Sequence, residues 1–264
     1  MIANYHTHTP RCRHASGTER EFVEMALESG LKILGFADHT PCPFPGSYYS
    51  SFRMFLHDAE DYFRTVTDLK KEYAGQIEIH AGVEAEYYPD LFPGMLEFLR
   101  QFPCEYMILG QHFPGNEEGE AYICVPRTDP AELVRYMDQV TEGLETGLFT
   151  YAAHPDGLCW QGDPEIYRQV MRKFCRRAKE ENWTLEFNLL GHHHKKNYPN
   201  PAFWEIAAEV GNTVILGADA HYPWMLNRRD DDPEFWKQTE LDARAYLQKL
   251  GLTPVDTVEL RPIR

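Results

Sequence analysis

Two histidines one residue apart, His6 and His8, stand in the segment Tyr5-His6-Thr7-His8 near the start of the chain. In an extended backbone residues two apart share a face, so both imidazoles can converge on one cation. Alone, such a pair reads equally well as two partly exposed histidines at a strand end. Its weight comes from repetition. Asp38-His39, Glu84 with Glu86, Gln111-His112, Ala153-His154 and Asp219-Ala220-His221 each follow an apolar run. These polar stops, with Asn188 among them, recur about 35 residues apart, the length of one strand-helix unit. With His14, the set of imidazoles and carboxylates becomes His6, His8, His14, His39, Glu84, His112, His154, Asp219 and His221. Nine such donors suffice for about three ions with four- to five-fold coordination completed by water or substrate. A nitrogen and oxygen set without thiolate suits Zn, Fe or Mn, whereas Ca²⁺ and Mg²⁺ favour all-oxygen shells.

Bringing these residues together requires strands that end at a common place. Apolar runs rich in β-branched residues predict strands over 2–5, 33–37, 77–83, 106–109, 148–153, 185–189 and 213–216. Between them the periodicity predicts helices over 19–29, 55–73, 130–145, 164–181 and 201–210. Pro130, Pro164 and Pro201 fall near first turns, and Gly30, Gly75 and Gly211 just past the ends. Strand and helix thus alternate without a linker, which predicts one α/β domain over 1–264, a closed or nearly closed TIM-like barrel of seven strands. In such a barrel the C-terminal strand ends face one another across a mouth, where residues distant in sequence meet. An open doubly wound sheet is the competing architecture, and the Gly-rich phosphate fingerprints that usually accompany it are missing.

Composition narrows the function. The 264 residues carry 26 Lys and Arg against 41 Asp and Glu, a formal charge of −15 that repels a nucleic-acid backbone. No run approaches the roughly 18 apolar residues of a membrane helix, and no export leader precedes His6, so neither nucleic acid nor membrane is an expected partner. The six cysteines are scattered without a C-x-x-C pair, which predicts reduced thiols and a cytoplasmic protein.

Taken in order, the H-T-H start, the Cys12-Arg13-His14 segment, Asp38-His39, Gly82-Val83-Glu84, Gln111-His112, Ala153-His154-Pro155 and Gly217-Ala218-Asp219-Ala220-His221 resemble the polymerase and histidinol phosphatase (PHP) superfamily, specifically its trinuclear histidinol-phosphate phosphatases. The resemblance spans essentially the whole chain and implies a distorted seven-stranded barrel of PHP type with three divalent ions at its mouth. It implies that His6 and His8 hold one ion with Asp219, that Glu84 bridges to a second held by His112 and His154, and that His14, His39 and His221 take the third. Histidine rather than aspartate at position 14 matches the phosphatase branch. On this resemblance Glu84, His112 and Asp219 hold a metal-bridging hydroxide that attacks phosphorus in line, in a site whose net charge of about +4 attracts a phosphate dianion.

The implied reaction is hydrolysis of a small phosphomonoester, L-histidinol phosphate foremost, to L-histidinol and inorganic phosphate. Another phosphoester (nucleotide, sugar phosphate or phosphotyrosine) and a non-catalytic metal-binding module remain the alternatives. The family's arginine after the sixth strand is replaced by His192 and His193, so His192, His193, Lys195 and Lys196 are candidate substrate contacts, and Arg53 of the Arg53-Met54 pair is another. A solvated loop and a surface arginine are the bland readings of the same residues. His57 and His80 have no converging partners and read as helix-surface and strand residues. Tyr48, Tyr49, Tyr87, Tyr88, Tyr222 and Trp224 read as ordinary packing more readily than as pocket walls.

Overall fold

The apolar runs pair in chain order. A computed structural model describes residues 1–263. In it β1 (Ala3–Asn4), β2 (Ile33–His39), β3 (Glu78–Ala85), β4 (Tyr106–Leu109), β5 (Phe149–Ala152), β6 (Thr184–Asn188) and β7 (Thr213–Gly217) form one parallel sheet in the order β1 to β7. Just beyond β1 and β7 the sheet closes on itself. The His8 amide donates to the Ala220 carbonyl at 2.9 Å and the Ala220 amide to the His6 carbonyl at 3.1 Å. Asn4 tightens this seam, its carbonyl oxygen accepting from the Ala218 amide at 2.8 Å and its amide donating to Thr7 Oγ1 at 2.7 Å. The result is the nearly closed seven-stranded barrel, and sequential order excludes the doubly wound alternative, which reverses strand order at its centre.

The helices α1 (Glu19–Glu28), α2 (Ala59–Glu72), α3 (Phe92–Leu99), α4 (Pro130–Glu145), α5 (Pro164–Glu180), α6 (Leu189–His194), α7 (Pro201–Val210) and α8 (Trp236–Lys249) follow the strands. Their starts are written locally: Thr18 and Glu21 form a reciprocal cap, and Asp129, Asp163 and Asn200 each accept from the amide two residues on, ahead of a first-turn proline. Three helices escape the sequence reading. α3 and α8 begin without a capping side chain, α8 after Phe235 in a left-handed conformation, and α6 has only six residues. The predicted helix over 55–73 opens as a tighter turn at Leu56–Asp58 before α2 begins. β2 extends through His39, beyond the predicted end at 37, because its pairing with β3 continues to His39 opposite Glu84. No helix among the described residues is long and apolar enough to cross a membrane.

The core has two parts. One lies between the helices and the outside of the barrel, and the other fills the barrel with Tyr5, Tyr106, Ile108, Tyr151 and Ile215. Val255, Val258 and Leu260 of the C-terminal segment pack against this inner cluster, and the Val255 amide donates to the Val214 carbonyl at 2.8 Å. The chemistry at the mouth therefore rests on a packed floor. Tyr106 occupies the barrel because Gly35 and Gly82 have no side chains, and its hydroxyl donates to the Tyr5 carbonyl at 2.7 Å. A methyl group at Gly35 would meet the Tyr106 hydroxyl, whereas one at Gly82 would meet the ring itself. Gly35→Ala is expected to lower stability by about 1–3 kcal/mol, as overpacking does, and Tyr106→Phe should relieve part of that loss in the double variant. The same Tyr106→Phe change should not relieve Gly82→Ala; denaturant unfolding of the native chain and the five variants checks both statements, and equal relief at the two sites would contradict this packing.

Candidate metal centre

The strand ends deliver their polar residues to one point. His6 and His8 come from the segment after β1, His39 closes β2, Glu84 lies near the end of β3, and His112, His154 and Asp219 follow β4, β5 and β7. His14 arrives from the loop after β1 and His221 from the turn after β7. Glu84 is at the centre. His154 Nε2 donates to its Oε1 at 2.8 Å, His112 Nε2 lies 3.6 Å from the same oxygen, and His39 Nδ1, His6 Nε2 and His8 Nε2 lie 3.0, 3.5 and 3.5 Å from Oε2. Asp219 Oδ1 is 3.1 Å from His8 Nε2 and 3.5 Å from His6 Nε2. His14 and His221 meet tip to tip, Nε2 to Nε2, at 2.9 Å. All nine sequence-predicted ligands are thus brought together.

Behind most imidazoles stands an oxygen that fixes the ring. His6 Nδ1 donates to Glu186 and His112 Nδ1 to Glu86, both at 2.8 Å, and His8 Nδ1 faces Asp38 at 3.4 Å. His14 and His221 use the carbonyls of Cys12 and Asp219 in the same way, at 2.9 and 3.0 Å. The nitrogen left over points inward, as ligand histidines require. Asn188 donates to both Asp219, at 3.1 Å, and Glu186, at 2.8 Å. Gly110 and Gly217 leave the space that the Glu84 and Glu186 carboxylates occupy. His154 and Asp219 hold left-handed backbone, with φ of 32° and 51°, the kind of local strain that concentrates at functional sites.

The residues fit divalent ions on a specific observation. His6 Nε2, His8 Nε2, His39 Nδ1 and Glu84 Oε2 are buried and have no hydrogen-bond partner, although each lies within 3.5 Å of a complementary atom. Orphaned buried polar atoms are costly, and here all of them face one small volume. Triads such as His6–His8–Asp219, His6–Glu84–His154, His8–His39–Glu84 and His14–His39–His221 hold their ligand atoms within 4.8 Å of one another. Electrostatics divides the ring. Burial opposes protonation of His6, but Glu186, Asp219 and Glu84 overcome it and hold its pKa well above the ordinary value. The same contest, won by Asp219, Asp38 and Glu84, brings His8 to about 9. His221 is pushed down to about 3 by burial and by His8, and burial, with His8 beside them, also lowers His39 and His14. Burial would raise Glu84, yet His112, His6 and His39 hold it well below the carboxylate range.

A cavity of about 370 Å³ opens over this ring. Its far wall is Tyr122, Leu190, His194, Lys196, Tyr198, Tyr222 and Met225. Of the residues expected at the substrate, Lys196 lines this cavity, while His192, His193 and Lys195 line an adjoining one that shares Lys196 and Tyr198 with it. His193 stacks on Trp236 with centroids 4.5 Å apart and hydrogen-bonds Thr239. Arg53 is fully buried and does not line the cavity. Tyr222 is a wall residue, whereas Tyr48 and Tyr88 hydrogen-bond Glu117. His57 is exposed and His80 sits between Glu78 and Glu105 on the side of the barrel, as surface and strand residues do. Sequence reasoning gave no role to Glu186 or Asp38. Their signal is present, since each is an acidic residue in a buried strand one or two positions from a polar stop. His194, Tyr122 and Tyr198 carry no such signal.

Comparison with known proteins agrees with this geometry. A family model described as the PHP domain matches residues 4–189. The chain belongs to the PHP domain family. It is 31% identical over 239 residues to a probable histidinol-phosphatase of Deinococcus radiodurans, covering 88% of this chain and 90% of the relative. To the histidinol-phosphatase of Bacillus subtilis it is 31% identical over 250 residues, covering 82% and 92%. These relatives place this PHP chain in the histidinol-phosphatase branch. Among solved structures, histidinol phosphate phosphatase from Lactococcus lactis, in complex with zinc, L-histidinol and phosphate, has a TM-score of 0.72 at 19% identity and covers 98% of this chain and 97% of its own. A putative histidinol phosphatase from Listeria monocytogenes has a TM-score of 0.69 at 20% identity, covering 84% and 96%. Both share the barrel.

Glu84→Gln keeps the volume and removes the charge at the centre of the ring. Hydrolysis of a phosphoester should fall by orders of magnitude while the circular dichroism spectrum stays native, and His57→Ala should leave turnover unchanged. Near-native turnover and metal content in Glu84→Gln would contradict the central place of this residue. Because protons and cations compete for the imidazoles, zinc affinity should rise with pH between about 6.5, the ordinary histidine value, and about 9, where His8 releases its proton. In the metal-free protein the sign is opposite: the raised pKa of His8 stabilises the fold fully below about 6.5 and is lost as pH rises through about 9. Titration calorimetry and thermal melts across that range check the two trends.

Proposed function

We propose that the chain hydrolyses a small phosphomonoester, L-histidinol phosphate to L-histidinol and inorganic phosphate in the first instance, at a site holding three divalent ions drawn from Zn, Fe and Mn. The observation that carries this reading is the set of buried, unpartnered ligand atoms around Glu84. In this assignment His6, His8 and Asp219 serve one ion, His112 and His154 a second, with Glu84 between them, and His14, His39 and His221 the third. Ions so held supply a water acidified from a pKa of ~15.7 towards ~7 and positive charge for the phosphoryl oxygens. Everything else falls to the side chains.

Glu84, His112 and Asp219 fix where the attacking water sits. Lys196 offers a permanent cation on the opposite wall, suited to a phosphate oxygen, and His192, His193 and Lys195 add to the basic character of the same rim. Tyr122, Tyr198, Leu190 and Met225 enclose the leaving group and exclude bulk water. The histidinol-phosphatase relatives support the substrate, and zinc with L-histidinol and phosphate in the Lactococcus protein supports the cofactor and product. The barrel from Ala3 to Gly217, packed against the C-terminal segment, supports one PHP domain over 1–264. Six free cysteines support the cytoplasm, a reducing compartment.

A lysine is a point charge without the bidentate fork of arginine, so phosphate orientation should be looser and discrimination among esters weaker. Measurement of kcat/KM over a panel of small phosphomonoesters, with metal-saturated native chain and Lys196→Ala, tests the reading. L-histidinol phosphate should turn over without an exclusive preference, and Lys196→Ala should lose about ten-fold or more on every ester, as a lost charged contact does. If another ester turns over briskly and L-histidinol phosphate does not, the substrate assignment fails. If no ester turns over, the hydrolase reading fails with it.

A further inference from the structure

The side chain of Arg53 is fully buried and does not line the cavity. One of its amino groups donates to the Thr40 carbonyl and to Glu86 Oε2, both at 2.9 Å. The other donates to Glu117 and lies 3.4 Å from the Tyr88 hydroxyl. The plane of the group rests on the Phe52 ring, 4.6 Å from its centroid. Both carboxylates are themselves buried and doubly used. Glu86 turns its other oxygen to His112 Nδ1 at 2.8 Å, and Glu117 also accepts from the hydroxyls of Tyr88 and Tyr48 at 2.8 and 2.9 Å. Removing Arg53 would leave two buried negative charges without their cation.

Glu86 sits two residues past Glu84, and the loop that carries Glu117 continues to the wall residue Tyr122. An ionised carboxylate only accepts, so Glu86 obliges His112 to carry its proton on Nδ1 and to present the Nε2 lone pair towards Glu84, 3.6 Å away. We propose that Arg53 is a positioning residue: through Glu86 it fixes the tautomer and ring orientation of His112, without touching phosphate. This rests on the reading of His112 as a metal ligand. Arg53 thereby links the 42–53 segment, the end of β3 and the loop after β4 to one imidazole nitrogen.

Chelator-competition titration with zinc tests the proposal in native chain, Glu86→Gln, Arg53→Met, Arg53→Lys and the Glu86→Gln, Arg53→Met double variant, alongside inhibition by inorganic phosphate at saturating metal. In Glu86→Gln the amide oxygen turns to Arg53 and the amide NH₂ meets His112 Nδ1, which forces the opposite tautomer. Glu86→Gln and Arg53→Met should each weaken one zinc equivalent by about 10- to 100-fold, the usual consequence of losing the group behind a ligand histidine. The double variant should be no weaker than Glu86→Gln, since both changes act on one contact, and Arg53→Lys should recover part of the loss. In the metal-free chain the ¹⁵N resonances of His112 should report an Nδ1–H ring in native protein and an Nε2–H ring in Glu86→Gln. Native zinc affinity and tautomer in Glu86→Gln would overturn the proposal. So would a ten-fold loss of phosphate inhibition in Arg53→Met that Glu86→Gln does not share. If Arg53→Met does not fold, the isosteric Glu86→Gln carries the test. A native chain that binds no zinc overturns the metal reading itself, an outcome distinct from intact metal binding in every variant.

Discussion

The Glu84 carboxylate is buried with five imidazoles around it, each with a ring nitrogen within 3.6 Å of one of its oxygens. A carboxylate taken out of water costs several kcal/mol unless its oxygens are met by positive charge or donors, and a cluster of imidazoles that share protons is no less demanding. Each side of this arrangement is tolerable only because the other is there. The fold answers to that constraint in detail: β2 continues to His39 so that it lies opposite Glu84, β4 ends before a residue without a side chain at Gly110, and the first and last strands are sewn together through Asn4 and Ala220 at the level of His6 and His8. Cations of higher charge than a proton satisfy the same oxygen and the same nitrogens together, which is why the unpartnered atoms face inward.

Around the ring runs a second circle of oxygen atoms. Glu186, Asp38 and Glu86 stand behind His6, His8 and His112, and backbone carbonyls stand behind His14 and His221. The division has an electrostatic consequence. Carboxylates outweigh burial at His6, His8 and His154 and raise their affinity for a proton, whereas His39 and His221, buried beside His8, and the more exposed His14 bind a proton less readily than an ordinary imidazole. The far wall of the cavity is of another character, aromatic and aliphatic with Lys196 and His194 as its basic groups. One side thus carries the charged ligand atoms and the other is largely apolar.

Most of the ring was legible in the sequence because barrel geometry converts a repeating position, the polar stop after an apolar strand, into a place in space. His39, Glu84, His112, His154 and Asp219 needed only that rule, and His6 with His8 only the alternation of an extended chain. The circle behind the ring was harder to read. Glu186 lies inside a fully buried strand and Glu117 in an irregular loop, and nothing in their spacing reveals which imidazole or guanidinium they meet. Arg53 shows the same limit from the other side, since a basic residue near a phosphate site reads as a phosphate contact until burial and two carboxylate partners are seen. α8 was missed because it has neither a capping residue nor strong amphipathic patterning, and its place is set by packing, with Trp236 against His193 and Trp224.

The central claim is that this ring of imidazoles and carboxylates exists to hold a cluster of divalent ions. Anomalous diffraction from crystals of the native chain, purified without chelator and supplied with zinc, addresses it directly. Three peaks are expected at the barrel mouth, one beside His6, His8 and Asp219, one beside His112 and His154 with Glu84 between the two, and one beside His14, His39 and His221. A mouth without anomalous density, with the orphaned nitrogens bridged by water alone, would contradict it.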